Sequence, residues 1–324
     1  MSTWAVTGAT GFIGRELCRQ LIDRGDEVRG LTRPGGTREL AGLRDIRICP
    51  TDLGDPDAVA HALSGCEEVA HLAAPRRPSG GTRDSGARAE GTALMTDACE
   101  TLIEAAARAG ARRLVLASST AVYGHPWDEV DEDSAARPDT PYGQARLIGE
   151  RRARARADRC GLELTIARLS EVYGPGSVGH RALVEHVLAG GFRVIGDGHH
   201  PHQMIHVADA ARALDACGRQ PGAANATVLV SGPRVTFREW IGSIATAADV
   251  AVTYTPSLTI PIRVALRSLP KACFVGRWQT LDYHVRPRAY AVDRSLRLLG
   301  PYQRVSLEQG VPDLVRQHLE DARS

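Results

Sequence analysis

Apolar residues recur along this chain with two alternating periods. A short run at residues 4–7 ends at Gly8, and then Ile13, Leu17 and Leu21 return every fourth position until Gly25. That spacing marks one buried helix face, and glycine is a common helix stop. Apolar runs at 28–31, 46–48 and 69–73 predict three more strands, and Asp55-Pro56 supplies a capping residue and a first-turn proline for another helix. A helix over about 93–109 stops at Gly110 and leads into Arg113-Leu114-Val115-Leu116-Ala117, a continuous apolar run suited to a strand covered on both faces. Strand and helix keep alternating, which predicts right-handed crossovers and a doubly wound sheet.

Beyond Leu169 the rhythm loosens. Short strands are expected near 194–196 and 227–231, helices at 181–189 and 207–217, and further helices start where Thr236 precedes Glu239 and Ser306 precedes Gln309 at capping-box spacing. The expected architecture is α/β: a Rossmann-like doubly wound parallel sheet over 1–169, with segments at about 203–231 returning to it. A smaller α+β carboxyl-terminal substrate domain takes most of 170–324. Residues 76–91 crowd Gly, Pro, Ser and Arg together and read as a loop. The stretch 258–269 is apolar but broken by Pro261, Arg263 and Arg267, far short of the ~18 residues of a membrane span. It reads as an apolar roof over the substrate in preference to a membrane-surface helix.

Composition changes this picture little. At 324 residues, 43% hydrophobic and 24% charged, the chain has the usage of a packed protein, and a net charge of +2 argues against nucleic acid or an anionic membrane as partner. Seven cysteines form no Cys-x-x-Cys pair and read as small buried hydrophobes in a reducing cytoplasm. The first residues show no charged-then-apolar secretion signal, so a cytoplasmic protein is expected. His199, His200, His202 and His206 lack Cys or Asp ligands at metal spacing; no metal is assigned, and these histidines are expected to line or rim the substrate cleft.

Chemistry enters at Thr7-Gly8-Ala9-Thr10-Gly11-Phe12-Ile13-Gly14, set between the first strand and the first helix. Gly8 permits the tight turn, Gly11 lets a pyrophosphate approach backbone N–H groups at the positive helix end, and Gly14 allows helix and strand to pack closely. A dinucleotide meets that requirement. At the end of the second strand an NAD enzyme offers a carboxylate to the adenosine ribose, but this chain has Thr32-Arg33, with Arg38 nearby. A guanidinium in place of the carboxylate favours NADP(H), with NAD(H) still possible.

The spacing Gly-x-x-Gly-x-x-Gly resembles the short-chain dehydrogenase/reductase family. His71-Leu72-Ala73-Ala74, Ser118-Ser119-Thr120-Ala121-Val122-Tyr123-Gly124 and Pro141-Tyr142-Gly143-Gln144-Ala145-Arg146 resemble its extended branch, which includes nucleotide-sugar epimerases and dehydratases. The resemblance covers nearly the whole chain and continues through Arg168-Leu169-Ser170-Glu171, Gly196-Asp197-Gly198 and His206-Val207-Ala208-Asp209. It implies that Thr10, Phe12, Ile13, Asp52, Leu53, Leu72, Ala73, Ala74 and Ser118 join the glycines in holding the cofactor. Tyr142 is implied as the proton donor to the substrate oxygen and Ser119 as its hydrogen-bond partner. The resemblance further implies that position 146, where that family has lysine, would contact the nicotinamide ribose and favour tyrosinate. Here it is Arg146, which keeps the charge but cannot pass a proton to water.

The substrate side departs from the resembling branch. Thr120-Ala121 lacks the Asp-Glu pair of the sugar-nucleotide 4,6-dehydratases, which argues against that reaction. Glu171 stands where nucleotide-sugar members usually have Asn, and His202-Gln203 where they have Arg-Asp; both changes weaken a diphosphate site. Arg88 offers a charge in return. Thr120, Tyr123, Arg88, Glu171 and His202 are the candidate substrate residues. The expected activity is NADP(H)-dependent reduction of a carbonyl on a sugar, cyclitol or natural-product ketone. The alternatives are an NAD-dependent nucleotide-sugar epimerase and a non-catalytic NADP(H)-binding regulatory module. The resemblance also implies a homodimer built on the helix carrying Arg151-Arg152-Ala153-Arg154-Ala155-Arg156 and the one carrying Asp97, Glu100 and Glu104.

Overall fold

The computed structural model describes residues 1–33, 40, 42–73, 85–268 and 277–321, with backbone alone at 85–96 and 277–280. The chain runs β1 (Thr3–Thr7), α1 (Phe12–Asp23), β2 (Glu27–Thr32), β3 (Ile46–Pro50), α2 (Pro56–Leu63) and β4 (Glu68–His71). It continues through α3 (Ser85–Arg108), β5 (Arg113–Ser119), α4 (Pro141–Cys160), β6 (Glu163–Leu169) and β7 (Glu171–Tyr173). Then come α5 (Arg181–Leu188), β8 (Arg193–Ile195), β9 (Met204–His206), α6 (Val207–Arg219), β10 (Thr227–Val230), α7 (Phe237–Ala248) and β11 (Thr253–Thr255). Helices α8 (Thr259–Ser268), α9 (Arg277–Val285), α10 (Asp293–Leu299) and α11 (Leu307–Asp321) complete it.

Seven strands form one parallel sheet in the order β3-β2-β1-β4-β5-β6-β10. The first six follow the doubly wound order, which reverses between β1 and β4 and leaves a crevice at their carboxyl ends. Successive side chains of β1 feed opposite layers. Trp4 and Val6 enter a core with Leu17 and Leu21 of α1 and Leu214 of α6, and Ala5 enters a second core with Val59 of α2, Leu102 of α3 and Ala153 of α4. Each fully buried leucine in these layers contributes about 2 kcal/mol from apolar surface removed from water. A third core joins α5, α7 and α11 through Val184, Trp240, Ile244 and Leu314. Two-stranded pairs β7-β9 and β8-β11 border it.

The caps behave as the sequence suggests. Asp55 accepts from the Asp57 and Ala58 amides, and Thr236 and Glu239 complete a reciprocal capping box. At α11 the box is half made, with the Ser306 amide donating to Gln309 Oε1 at 3.1 Å. One expectation is corrected: helix α3 begins at Ser85, so 85–91 is helical where a loop was expected. Gly86 and Gly91 each cost about 1 kcal/mol against alanine, a penalty that a 24-residue helix packed on α2 and α4 absorbs.

Candidate active site

The carboxyl ends of β1 through β6 open on a cavity of about 940 Å³, near the upper end of the usual size for small-molecule sites. Gly8, at φ +69°, makes the turn out of β1, and a Cβ there would sit 2.8 Å from the Ala73 amide nitrogen at the end of β4. A Cβ at Gly14 would fall 2.2 Å from the Gly8 carbonyl, so α1 presses against the turn through bare backbone. Gly11 caps α1 without a side chain. The first amides of the helix lack intrahelical acceptors and present a partial positive charge to the cavity. Beneath them Thr7 Oγ1 accepts from the Ala73 amide at 3.2 Å and meets His71 Nδ1 at 2.7 Å, tying β4 to β1. Burial above all, then the Arg146 charge, lowers the His71 pKa to about 4.

Thr32, Arg33, Asp52 and Leu53 line the cavity at the β2 and β3 ends. Thr32 Oγ1 is buried with no hydrogen-bond partner among the described residues, a polar atom open to a ligand. Arg33 is exposed, and Asp52 Oδ1 accepts from the Gly54 amide at 2.9 Å. A glycine cradle that no Cβ fits, free helix-terminal amides and an orphaned hydroxyl together suit a dinucleotide. Thr10, Phe12, Ile13, Leu72, Ala73 and Ser118 share this wall; Arg38, Ala74 and the Arg88 side chain lie outside the described residues.

Tyr142 reaches the cavity because α4 starts close against the turn after β5. Thr140 Oγ1 caps the Gly143 amide, and a Cβ at Gly143 would lie 2.3 Å from the Ala121 carbonyl. Only glycine lets the helix begin there. The Tyr142 side chain is half-exposed, and its hydroxyl oxygen accepts from Arg146 Nε at 3.1 Å while Arg146 Nη1 donates to the Ala117 carbonyl at 2.9 Å. With its oxygen so engaged, the phenol keeps its own proton free to donate. Ser119 Oγ accepts from the Ala121 amide at 3.2 Å, which likewise leaves its proton free.

Four residues past Arg146 stands Glu150, a buried group that the sequence reading missed. It accepts from Ser118 Oγ and pairs with Arg168 at 2.8 Å, and Arg168 in turn donates to the Tyr123 hydroxyl at 2.9 Å. The regular spacing 142, 146, 150 on one helix face was the available signal.

Of the candidate substrate residues, Glu171 lines the cavity. Thr120 is buried, Tyr123 spends its hydroxyl in the Glu150–Arg168 network, and His202 is fully buried. These three are not on the cavity wall. The four clustered histidines do not line the cavity either. His200 and His202 pack with Phe237 in an aromatic box, and His206 caps α6 by accepting from the Ala208 amide at 3.3 Å. Burial above all lowers the pKa of His200 to about 3 and that of His202 well below the usual value. Nor does α8 supply a roof: none of 258–268 lines the cavity, and Ile260 and Val264 are exposed. No helix among the described residues is long and apolar enough to cross a membrane. Asp97, Glu100 and Glu104 of α3 are engaged within the chain, where Arg152 pairs with Asp97 at 2.9 Å and with Glu100 at 2.7 Å, and Arg156 pairs with Glu100 and Glu104.

Comparison with known proteins agrees with this geometry. The pattern of the NAD dependent epimerase/dehydratase family matches residues 4–230. A dTDP-glucose 4,6-dehydratase of Streptomyces niveus is 31% identical over 64% of this chain and 66% of its own length. A 2-alkyl-3-oxoalkanoate reductase of Stenotrophomonas maltophilia is 28% identical over 94% of this chain and 96% of its own. Among solved structures, MoeE5 in complex with UDP-glucuronic acid and NAD is 27% identical with a TM-score of 0.73, covering 98% of this chain and 99% of that one.

Proposed function

Because the chain belongs to the NAD dependent epimerase/dehydratase family, and so is an NAD(P)-dependent oxidoreductase of the extended short-chain dehydrogenase/reductase type, we propose that it is an NADP(H)-dependent reductase. Its substrate is a carbonyl on a small metabolite: a sugar, cyclitol or natural-product ketone. The observation that carries this reading is the placement of Tyr142, Arg146 and Ser119 on the same cavity as the glycine turn. The nearly full-length likeness to a reductase supports it, and the Thr120-Ala121 pair, without a carboxylate, argues against a dehydratase despite the likeness to one.

When bound, the cofactor supplies hydride. The glycine turn and the first amides of α1 would hold its pyrophosphate, Thr32 would serve its adenosine ribose, and Arg33 would read a 2′-phosphate. Ser119 donates to the substrate oxygen and orients it. Tyr142 gives that oxygen its proton, a step worth about 10²–10⁴ in rate when the donor is well placed. Arg146 holds the phenol oxygen through Nε and is itself anchored on β5 by the Ala117 carbonyl. Arginine stays protonated in proteins, so Tyr142 regains its proton by a route that does not pass through residue 146.

Titration with NADPH and NADH, followed by a carbonyl panel, tests the proposal. We expect NADPH to bind at least about tenfold more tightly than NADH, in keeping with one charge-assisted hydrogen bond. Tyr142→Phe should bind NADPH normally yet lose about 10²-fold or more in kcat. An unchanged kcat would remove Tyr142 from the chemistry. MoeE5, solved with NAD and a UDP-sugar, supports a second reading, an NAD-dependent nucleotide-sugar epimerase; that enzyme would retain NAD through purification and need none added.

A further inference from the structure

The β6 side of the cavity carries an acid whose charge the fold maintains. Glu171 opens β7, where its backbone is registered against Met204 of β9. Glu171 lines the cavity beside Ser170 and Val172, with 34% of its side chain exposed. Oε1 stands 3.2 Å from Nε2 of His180, a buried imidazole whose Nδ1 meets Ser177 Oγ at 2.9 Å. Arg288, in contact with His202 at 3.3 Å, adds positive charge behind it. Against the cost of burial, His180 first and then Arg288 bring the carboxyl pKa down to about 2. Asp52, the other acidic lining residue among those described, sits at the β3 end with the Gly54 amide on its carboxylate.

An ionised carboxylate only accepts hydrogen bonds. It attracts an O–H or N–H donor and repels a phosphate or a second carboxylate. We propose that Glu171 determines specificity on the substrate wall: its carboxylate takes a hydrogen bond from a hydroxyl or ammonium group that the substrate carries beside its reacting carbonyl, and it turns away analogues with an anionic group there. The substrate class is then a hydroxy- or amino-ketone. This rests on reading the β6 side of the cavity as the substrate side.

Cyclohexanone, 2-hydroxycyclohexanone, 2-aminocyclohexanone and cyclohexanone-2-carboxylate, assayed with NADPH, separate the cases. The wild type should prefer the hydroxy- or amino-ketone over cyclohexanone by about tenfold or more in kcat/KM and should turn over the carboxylate poorly. Glu171→Gln keeps an oxygen for His180 and so keeps the fold, as a thermal melt will show. It should cut that preference to within about threefold, because the donor-bearing ketones lose more than cyclohexanone does, with a larger loss for the amine if ammonium is the natural donor. Equal losses on all four ketones, or a wild type indifferent to the donor, overturn the proposal.

If no ketone consumes NADPH, the reductase reading falls by itself, and binding still decides the role of Glu171. Protein loaded with NADP⁺ is then titrated calorimetrically with cyclohexanol and trans-cyclohexane-1,2-diol. Tighter binding of the diol, lost in Glu171→Gln, supports the proposal; equal binding, or none, overturns it.

Discussion

On the β1 side the cavity is bounded by backbone. Gly8 and Gly14 meet at distances no side chain permits, and the groups offered to a ligand are helix amides and a buried hydroxyl. On the β6 side it is bounded by a charged side chain whose partners come from afar: His180 stands just before α5 and Arg288 follows α9. Backbone recognition depends on chain geometry and serves any molecule that carries a pyrophosphate. Side-chain recognition depends on one charge and its neighbours, and a single substitution retunes it. The two walls should therefore fail differently, the first abruptly and the second by degrees.

Gly14→Ala tests the first wall and should have the largest effect. The new methyl meets the Gly8 carbonyl at 2.2 Å, so either α1 or the turn must move. Overpacking of this kind costs about 1–3 kcal/mol, and a displaced helix end no longer aims its amides at the pyrophosphate. We expect NADPH affinity to fall by about 10²-fold or more, consistent with loss of several charge-assisted hydrogen bonds. Fluorescence titration of NADPH reads it, with a thermal melt showing that the variant is folded. Near-normal affinity would mean that the turn yields freely, and the contrast between the walls would weaken.

That difference also explains what the sequence made legible. The close pass of Gly14 against Gly8, the capped α2 and α7 and the Tyr142–Arg146 contact are local: their partners lie within a few residues, so spacing suffices. Gly143 was read as part of a motif, but its reason, the 2.3 Å approach to the Ala121 carbonyl, appears only when α4 meets the turn after β5. Glu150 is further still from local reading, because Ser118 of β5 and Arg168 of β6 define its role from other strands. His200 and His202 looked like cleft residues because histidine is polar. Phe237 of α7 and Tyr283 of α9, remote in sequence, turn their site into an aromatic interior where neutral imidazole packs.

That interior makes the second wall sensitive to acid. Burial lowers the pKa of His200 to about 3 and of His284 to about 4, with His202 well below its usual value; among the described residues the first wall has His71, at about 4. In the unfolded chain each imidazole takes up a proton near pH ~6.5, and in the fold it does not until far lower. Their contribution to stability is complete above that pH and is lost as pH falls toward the folded values, by up to about 1.4 kcal/mol per pH unit for each group. The melting temperature should hold from pH 8 to 7 and drop steadily between about 6.5 and 4. Hydrogen exchange at pH 5 should quicken in α7 and α9 before β1 and α1. Uniform quickening would show that the walls share one stability.

Arg146→Lys should have the smallest effect, and it probes where the walls meet. The guanidinium spans two acceptors, the Tyr142 hydroxyl and the Ala117 carbonyl, with separate nitrogens. A lysine offers one compact ammonium in place of that planar fork, and a weakened hydrogen bond to either acceptor should lower stability by about 1 kcal/mol. An ammonium can release a proton, however, and so opens a path by which Tyr142 is recharged between turnovers. If that recharging limits turnover, kcat rises by a few-fold and the solvent deuterium effect shrinks, while NADPH affinity stays within about twofold. If kcat instead falls about tenfold, the geometry in which Arg146 fixes the phenol matters more than a second proton supply at that position, and Arg146 acts as an anchor of the backbone wall.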